Sequence, residues 1–185
     1  RTKYPQGAEK QLVRAITRRE VKPGQLPIDA GCAVFNIDTC ASLFRLANTG
    51  LPLIKRVVTV SGSAVKSSKN ALARIGTPMQ YMFKAAGGFV TEPTKIIMGG
   101  PMMGIAQHTL EAPIIKQSNG LLAFVNNDVV RDEAPSCIRC GRCVKGCPMR
   151  LMPNYIHLFV RNEMFDEAEK YNAADCIECG ACSYS

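Results

Sequence analysis

An α+β fold in three parts is what the sequence predicts, and three observations predict it. An αβα pattern runs over residues 1–55, a strand–helix–strand alternation over 56–112, and a helix-favouring stretch crowded with cysteine over 135–185. Residues 113–134, ending in the polar run Val129-Val130-Arg131-Asp132-Glu133, join the last two as a linker.

The 185 residues suffice for one ordinary domain or two to three small ones, so length alone does not make folding require metal or disulfides. At 46% hydrophobic and 21% charged, the chain is composed like a globular protein, which argues against collagen, coiled coil and disorder. The longest apolar candidate, Ile96 to Ala106, is interrupted by Gly99, Gly100, Pro101 and Gly104, so no run of about 20 apolar residues is available to span a membrane. The chain opens on Arg1, so the lack of a leader pattern fixes no compartment. The net charge of +8 is uneven: +6 over residues 1–60, +2 over 61–134 and 0 over 135–185. A basic first third suits a solvated positive face or an anionic partner. With aromatics at 6% and no stacking motif, nucleic acid is not expected as that partner.

In residues 6–18, Ala8, Leu12, Val13 and Ile16 fall at helical spacing, and the basic tail Arg14, Arg18, Arg19 suits a helix C-terminus. Lys22-Pro23-Gly24 breaks it. Gly31 to Phe35 reads as a short buried strand, and Asp38 or Thr39 as the cap of a helix that Gly50 ends. From Arg56, Val57-Val58-Thr59-Val60 is β-rich, Ser61-Gly62-Ser63 is turn chemistry, and Ala64-Val65-Lys66 resumes an extended pattern, together a hairpin. Thr77 as N-cap with Pro78 at the first helical position opens a helix over Met79 to Ala86, which Gly87-Gly88 stops; Lys95 to Met98 is a further strand. Two short helices are expected between Pro148 and Asp175, one facing through Ile156, Phe159 and Val160, the other through Met164, Phe165, Ala168 and Tyr171, with Asn162-Glu163 as the break.

Seven of nine cysteines form two clusters: Cys137, Cys140, Cys143 and Cys147 followed by Pro148, then Cys176, Cys179 and Cys182. The spacing C-x2-C-x2-C-x3-C-P lets three thiolates wrap one face of an iron-sulfur cube, while the fourth cysteine ligates the neighbouring cube. Cys147, Cys176, Cys179 and Cys182 are therefore expected to hold one [4Fe-4S] cluster and Cys137, Cys140 and Cys143 the second, whose fourth ligand is expected just past Ser185. Tetrahedral zinc sites prefer two ligand pairs separated by a longer loop, and cysteines this close together make no sensible disulfide framework. Cys32 and Cys40 stand apart and read as buried structural thiols, and His157 as a packing or surface residue. Arg139, Arg142, Lys145 and Arg150 surround the first motif, whereas Asp175 and Glu178 flank the second; positive charge favours the reduced, more negative cluster, so the first is expected at higher potential.

With every clustered cysteine spent on ligation, electron relay is the economical role. No Ser-His-Asp set, H-E-x-x-H or Walker loop occurs, and Gly99-Gly100-Pro101-Met102-Met103-Gly104 does not fit G-x-G-x-x-G; it reads as a tight turn, or as a loop letting backbone approach a cofactor or a cluster domain.

Tyr4-Pro5-Gln6-Gly7-Ala8-Glu9-Lys10-Gln11-Leu12, the Gly99–Gly104 loop and the two cysteine motifs, in this order, resemble the C subunit of the Rnf electron transport complex, the ion-translocating ferredoxin:NAD oxidoreductase. The resemblance implies part of a flavin- and NADH-binding α/β domain over 1–55, akin to the flavoprotein subunit of respiratory complex I. It implies a β-grasp, soluble-ligand-binding domain over 56–112 and a helical dicluster ferredoxin domain over 135–185. Tyr4, Gly7 and Glu9 match the Y-x-x-G-x-E element beside flavin and nicotinamide, and Asn36 and Thr39 match the flavin-facing N-x-[DE]-T turn. FMN and NAD(H) are implied for the intact protein, but the glycine-rich cofactor loop expected upstream is absent, so the chain alone is not expected to act as a dehydrogenase. Implied partners are the other subunits of a membrane redox complex, with this one peripheral on the cytoplasmic side. The alternatives are an iron-sulfur adaptor of another oxidoreductase, against which the Y-x-x-G-x-E element argues, and a ligand-binding scaffold whose clusters only staple the fold.

Overall fold

The computed structural model describes residues 3–128 and 136–185. Its elements in order are α1 (Glu9–Thr17), α2 (Ile37–Thr49), β1 (Lys55–Ser61), β2 (Lys69–Arg74), α3 (Met79–Ala85), β3 (Lys95–Met98), β4 (Ile105–Gln107), β5 (Gly120–Phe124), α4 (Arg142–Gly146), α5 (Pro153–Arg161), α6 (Phe165–Lys170) and α7 (Ala181–Tyr184). The fold is mixed α+β, as the sequence predicts. The chain divides into two compact units: residues 1–36 with 135–185, and residues 37–134.

The unit 37–134 is organised by a five-stranded mixed sheet in the order β2-β1-β5-β3-β4. β1 pairs antiparallel with β2, with Val57 opposite Leu72, and parallel with β5, with Val60 opposite Leu121. β3 pairs antiparallel with both β5 and β4. Alternation along β1 buries Arg56, Val58 and Val60 on one face, where Leu121 and Ala123 of β5 and Met79, Met82 and Phe83 of α3 complete the core. Phe83 and Phe89 pack with ring centroids 4.9 Å apart. Each fully buried side chain of this size contributes about 1.5–3 kcal/mol.

Here the structure corrects the sequence reading at several points. The stretch 113–134, expected as a linker, supplies β5 at the middle of the sheet, together with the buried Ile114 and Ser118; the polar run at 129–134 lies outside the described residues. The hairpin forms, but its return strand begins at Lys69. Ala64 and Val65 instead turn inward, Ala64 N–H donating to the Ala123 carbonyl at 3.1 Å and Val65 bridging to Phe89. Pro78, not Thr77, is the N-cap of α3. α2 starts at Ile37, so Asp38 and Thr39 lie inside its first turn. Cys40 on α2 is exposed and Cys32 half-buried, so neither is a core thiol.

In the other unit, α1 ends on Arg18 in the left-handed region, whose N–H caps the Arg14 carbonyl. Gly31 to Phe35 forms no strand: Ala33 and Phe35 are exposed, and among the described residues no strand runs alongside to supply a ladder. Pro153 opens α5, and Glu163 at φ +57 separates it from α6, at the break the sequence marks. Tyr155, Phe159 and Tyr171 pack together across the pair, with ring centroids 5.1 to 6.3 Å apart.

Candidate metal centre

The two cysteine motifs repeat one local sequence, Cys-Ile-x-Cys-Gly-x-Cys, at 137–143 and 176–182. They also repeat one backbone. Arg139 and Gly141 have φ of +59° and +73°, and Glu178 and Gly180 have φ of +52° and +74°. Left-handed residues alternating with ordinary ones turn successive N–H groups toward the inside of a loop, a concavity that favours negative charge. Each loop then enters a short helix, α4 from the Gly141 cap and α7 from the Gly180 cap. Cys147 sits at the end of α4, in extended backbone.

The cavity that Cys147 lines groups it with the second motif. Cys147, Cys176, Cys179 and Cys182 line one cavity of about 310 Å³, walled by apolar side chains that include Leu151, Ile156, Val160 and Ile177. The four gathered thiols are the set that the spacing assigns to one cube. Two backbone amides point at their sulfurs: Leu151 N–H donates to Cys147 Sγ and Glu178 N–H to Cys176 Sγ, both at 3.4 Å. Cys179 is buried, whereas Cys137 and Cys140 are exposed and Cys143 half-buried. All nine cysteines are free thiols. Among the described residues no group of three or more His, Cys, Asp or Glu converges on a point where a single metal ion would sit. The four thiols line one cavity, and soft thiolate donors are the ligand type that iron-sulfur centres take. His157 lies on the cavity rim with its ring exposed.

The residues matched to flavin and nicotinamide fall in both units. Tyr4 donates its hydroxyl to the Cys179 carbonyl at 2.6 Å, against the wrap of the second motif. Burial first, and the Cys179 thiol second, hold its phenol above the ordinary value of 10.0. Gly7 has open space where a Cβ would stand, and Glu9 is the exposed first residue of α1. Asn36 is exposed and closes the first unit, while Thr39 is half-buried in the first turn of α2 in the other. Gln11 Nε2 donates to Met149 Sδ at 3.1 Å, a second tie between the α1 segment and the cysteine region. Sequence reasoning missed the Tyr4 and Gln11 contacts, which no local pattern announces. It also missed the doubled Cys-Ile-x-Cys-Gly-x-Cys, which was there to be read.

Residues 1–45 match the Nuo51 FMN-binding domain, residues 57–106 the SLBB domain, and residues 129–185 the 4Fe-4S dicluster domain. The C subunit of the proton-translocating ferredoxin:NAD(+) oxidoreductase complex of Clostridium ljungdahlii is 50% identical over 175 residues, 94% of this chain and 38% of that relative. Its Na(+)-translocating counterpart in Acetobacterium woodii is 47% identical over 174 residues, 94% of this chain and 39% of the relative. The C subunit of an ion-translocating oxidoreductase complex of Yersinia pestis is 43% identical over 175 residues, 94% of this chain and 28% of the relative. The chain therefore spans under two-fifths of the length of these curated relatives, and over almost all of its own length it is similar to the C subunit of the ion-translocating ferredoxin:NAD oxidoreductase.

Proposed function

We propose that the chain is the electron-relaying part of the C subunit of an ion-translocating ferredoxin:NAD oxidoreductase complex, passing electrons between NAD(H) with its flavin and membrane-bound redox partners. The observation that carries this is the cavity shared by Cys147 of the first motif and Cys176, Cys179 and Cys182 of the second. When bound there, a [4Fe-4S] cluster supplies a one-electron carrier. Cys137, Cys140 and Cys143 supply three ligands for a second. The chain's own contribution is to present thiolates, to aim the Leu151 and Glu178 amides at two of them, and to wall the site with apolar side chains such as Leu151 and Ile156.

Tyr4, Gly7, Glu9, Asn36 and Thr39 are assigned to the flavin and nicotinamide side. The match of residues 1–45 to an FMN-binding domain supports this, as does the open backbone face at Gly7, which a flat ring can approach. Residues 56–112 belong to a β-grasp domain, extended by this reading through β5. The order β2-β1-β5-β3-β4, with a parallel central pair and α3 in its core, supports that fold. Attachment to the membrane is through partner subunits on the cytoplasmic side; among the described residues no helix is long and apolar enough to cross a bilayer.

Anaerobic reconstitution with iron and sulfide, followed by metal analysis and electron paramagnetic resonance, tests the assignment. About four irons or more per chain are expected. One cluster signal should vanish in both Cys147→Ala and Cys182→Ala, although these residues lie in different motifs, and should persist in Cys137→Ala. Iron-free protein, or protein that takes up zinc alone, overturns the reading.

A further inference from the structure

We propose that Tyr4 is a positioning residue for the second cysteine wrap, and that its hydroxyl raises the reduction potential of the centre held by Cys147, Cys176, Cys179 and Cys182. The proposal rests on the cluster reading above and goes beyond it. Tyr4 lies 175 residues from Cys179 in sequence, yet its hydroxyl donates to that residue's carbonyl at 2.6 Å. Such a contact is a long-range choice of the fold, because a loop preceding α1 has no local reason to reach the second motif. Cys179 is the buried member of its triplet, with 8% of its surface exposed, so a dipole acting on it is weakly screened. Tyr4 as a whole is 54% exposed, and the hydroxyl is the part of its side chain for which the fold supplies a partner.

The electrostatic sign follows from the donor's direction. The hydroxyl hydrogen points at the Cys179 peptide and withdraws electron density from the residue whose thiolate ligates the centre. Adding one electron places negative charge on the thiolate side of the residue whose carbonyl that hydrogen engages, which favours the reduced state. Gln11 provides the internal comparison: it also ties the α1 segment to the cysteine region, but through Met149, which lines the cavity without being a ligand. If the role of Tyr4 were only to hold the segment in place, loss of either tie would act alike on the centre.

The test uses reconstituted chain in three forms: unaltered, Tyr4→Phe and Gln11→Leu. Iron and sulfide are counted first. The midpoint potential is then titrated by following the paramagnetic signal that disappears in Cys182→Ala. Tyr4→Phe is expected to keep its iron and to shift the one-electron equilibrium about threefold toward the oxidised state, about 30 mV more negative. Its g-values should shift while Gln11→Leu leaves both unchanged. Should Tyr4→Phe shed its iron, 3-fluorotyrosine placed at position 4, a stronger donor, is expected to move the potential upward. Full iron with unmoved potential and g-values in Tyr4→Phe, equal shifts in Tyr4→Phe and Gln11→Leu, or an unmoved potential with 3-fluorotyrosine, overturns the proposal and leaves the cluster reading standing. Absence of iron from the unaltered chain sinks the cluster reading itself.

Discussion

At Gly62 the backbone adopts φ of +120°, and a Cβ added there would stand 2.1 Å from the Ala123 carbonyl oxygen of β5. That oxygen already accepts the Ala64 N–H, so the turn after β1 and the central strand are built against each other. Gly62→Ala is therefore expected to cost about 3 kcal/mol or more, by forcing both strain and a backbone clash. Gly76, at φ +92° with nothing within 4 Å of its Cβ position, faces the strain alone; Gly76→Ala should cost about 1–2 kcal/mol. Chemical denaturation of the two variants checks the difference, and equal costs would show that the approach of the two segments is not what requires glycine. A second residue-scale dependence is Arg56. It is nearly buried, its Nε lies 3.6 Å from Asp38 Oδ2, and its guanidinium donates to the Lys116 carbonyl. Arg56→Ala is expected to destabilise the unit by about 2 kcal/mol, reduced from the value for a fully buried pair because Asp38 is partly exposed; the same denaturation measurement reads it.

At the level of elements, β5 is the main thing the sequence concealed. Gly120-Leu121-Leu122-Ala123-Phe124 is a short apolar run behind a stretch rich in proline and polar residues, and periodicity alone does not separate such a run from a buried turn. Its place is decided by β1 and β3, both remote in sequence. Conversely, Gly31–Phe35 has a strand's composition and, among the described residues, no partner strand. What was legible was local: α1, the α3 segment, β3, the α5–α6 break and the grouping of thiols by spacing all follow from short-range pattern. The Tyr4 and Gln11 contacts, and the middle of the sheet, depend on tertiary packing that no window contains. Leu122→Pro, which removes an N–H from the central strand, is expected to abolish the cooperative unfolding of residues 37–134, while Val34→Pro leaves its own unit folded. Circular dichroism during thermal unfolding distinguishes them. The two wrap loops share a backbone and differ in charge: Arg139, Arg142 and Lys145 in and after the first are exposed cations, against Asp175 and Glu178 around the second. The first centre is accordingly expected at the higher potential, and Glu178→Arg should bring the second upward. A redox titration that finds the second centre easier to reduce contradicts this.

Over the whole molecule, the two units are stabilised differently. Residues 37–134 contain a continuous core, including Val58, Val60, Met79, Phe83, Ile114 and Leu121, that owes nothing to the cysteines. Residues 1–36 with 135–185 bury little apolar surface: Val13, Val21, Leu151 and Ala168 stand out, while α5 buries no residue completely and turns Ile156 and Val160 toward the cavity of the four thiols. A group filling that cavity takes the place of a core, and because it binds the folded unit and not the unfolded chain, its binding free energy becomes folding free energy. Removing iron by chelation under anaerobic conditions is therefore expected to destabilise one unit and spare the other. Hydrogen exchange followed by mass spectrometry reads this directly. Amides of α5 and α6 should lose protection by an order of magnitude or more on chelation, since about 1.4 kcal/mol of lost binding free energy suffices for a tenfold change. Amides of β1 and β5 should exchange at unchanged rates. Equal loss across both units would show that they unfold together, and no loss in α5 and α6 would show that the cavity is held open by the protein alone.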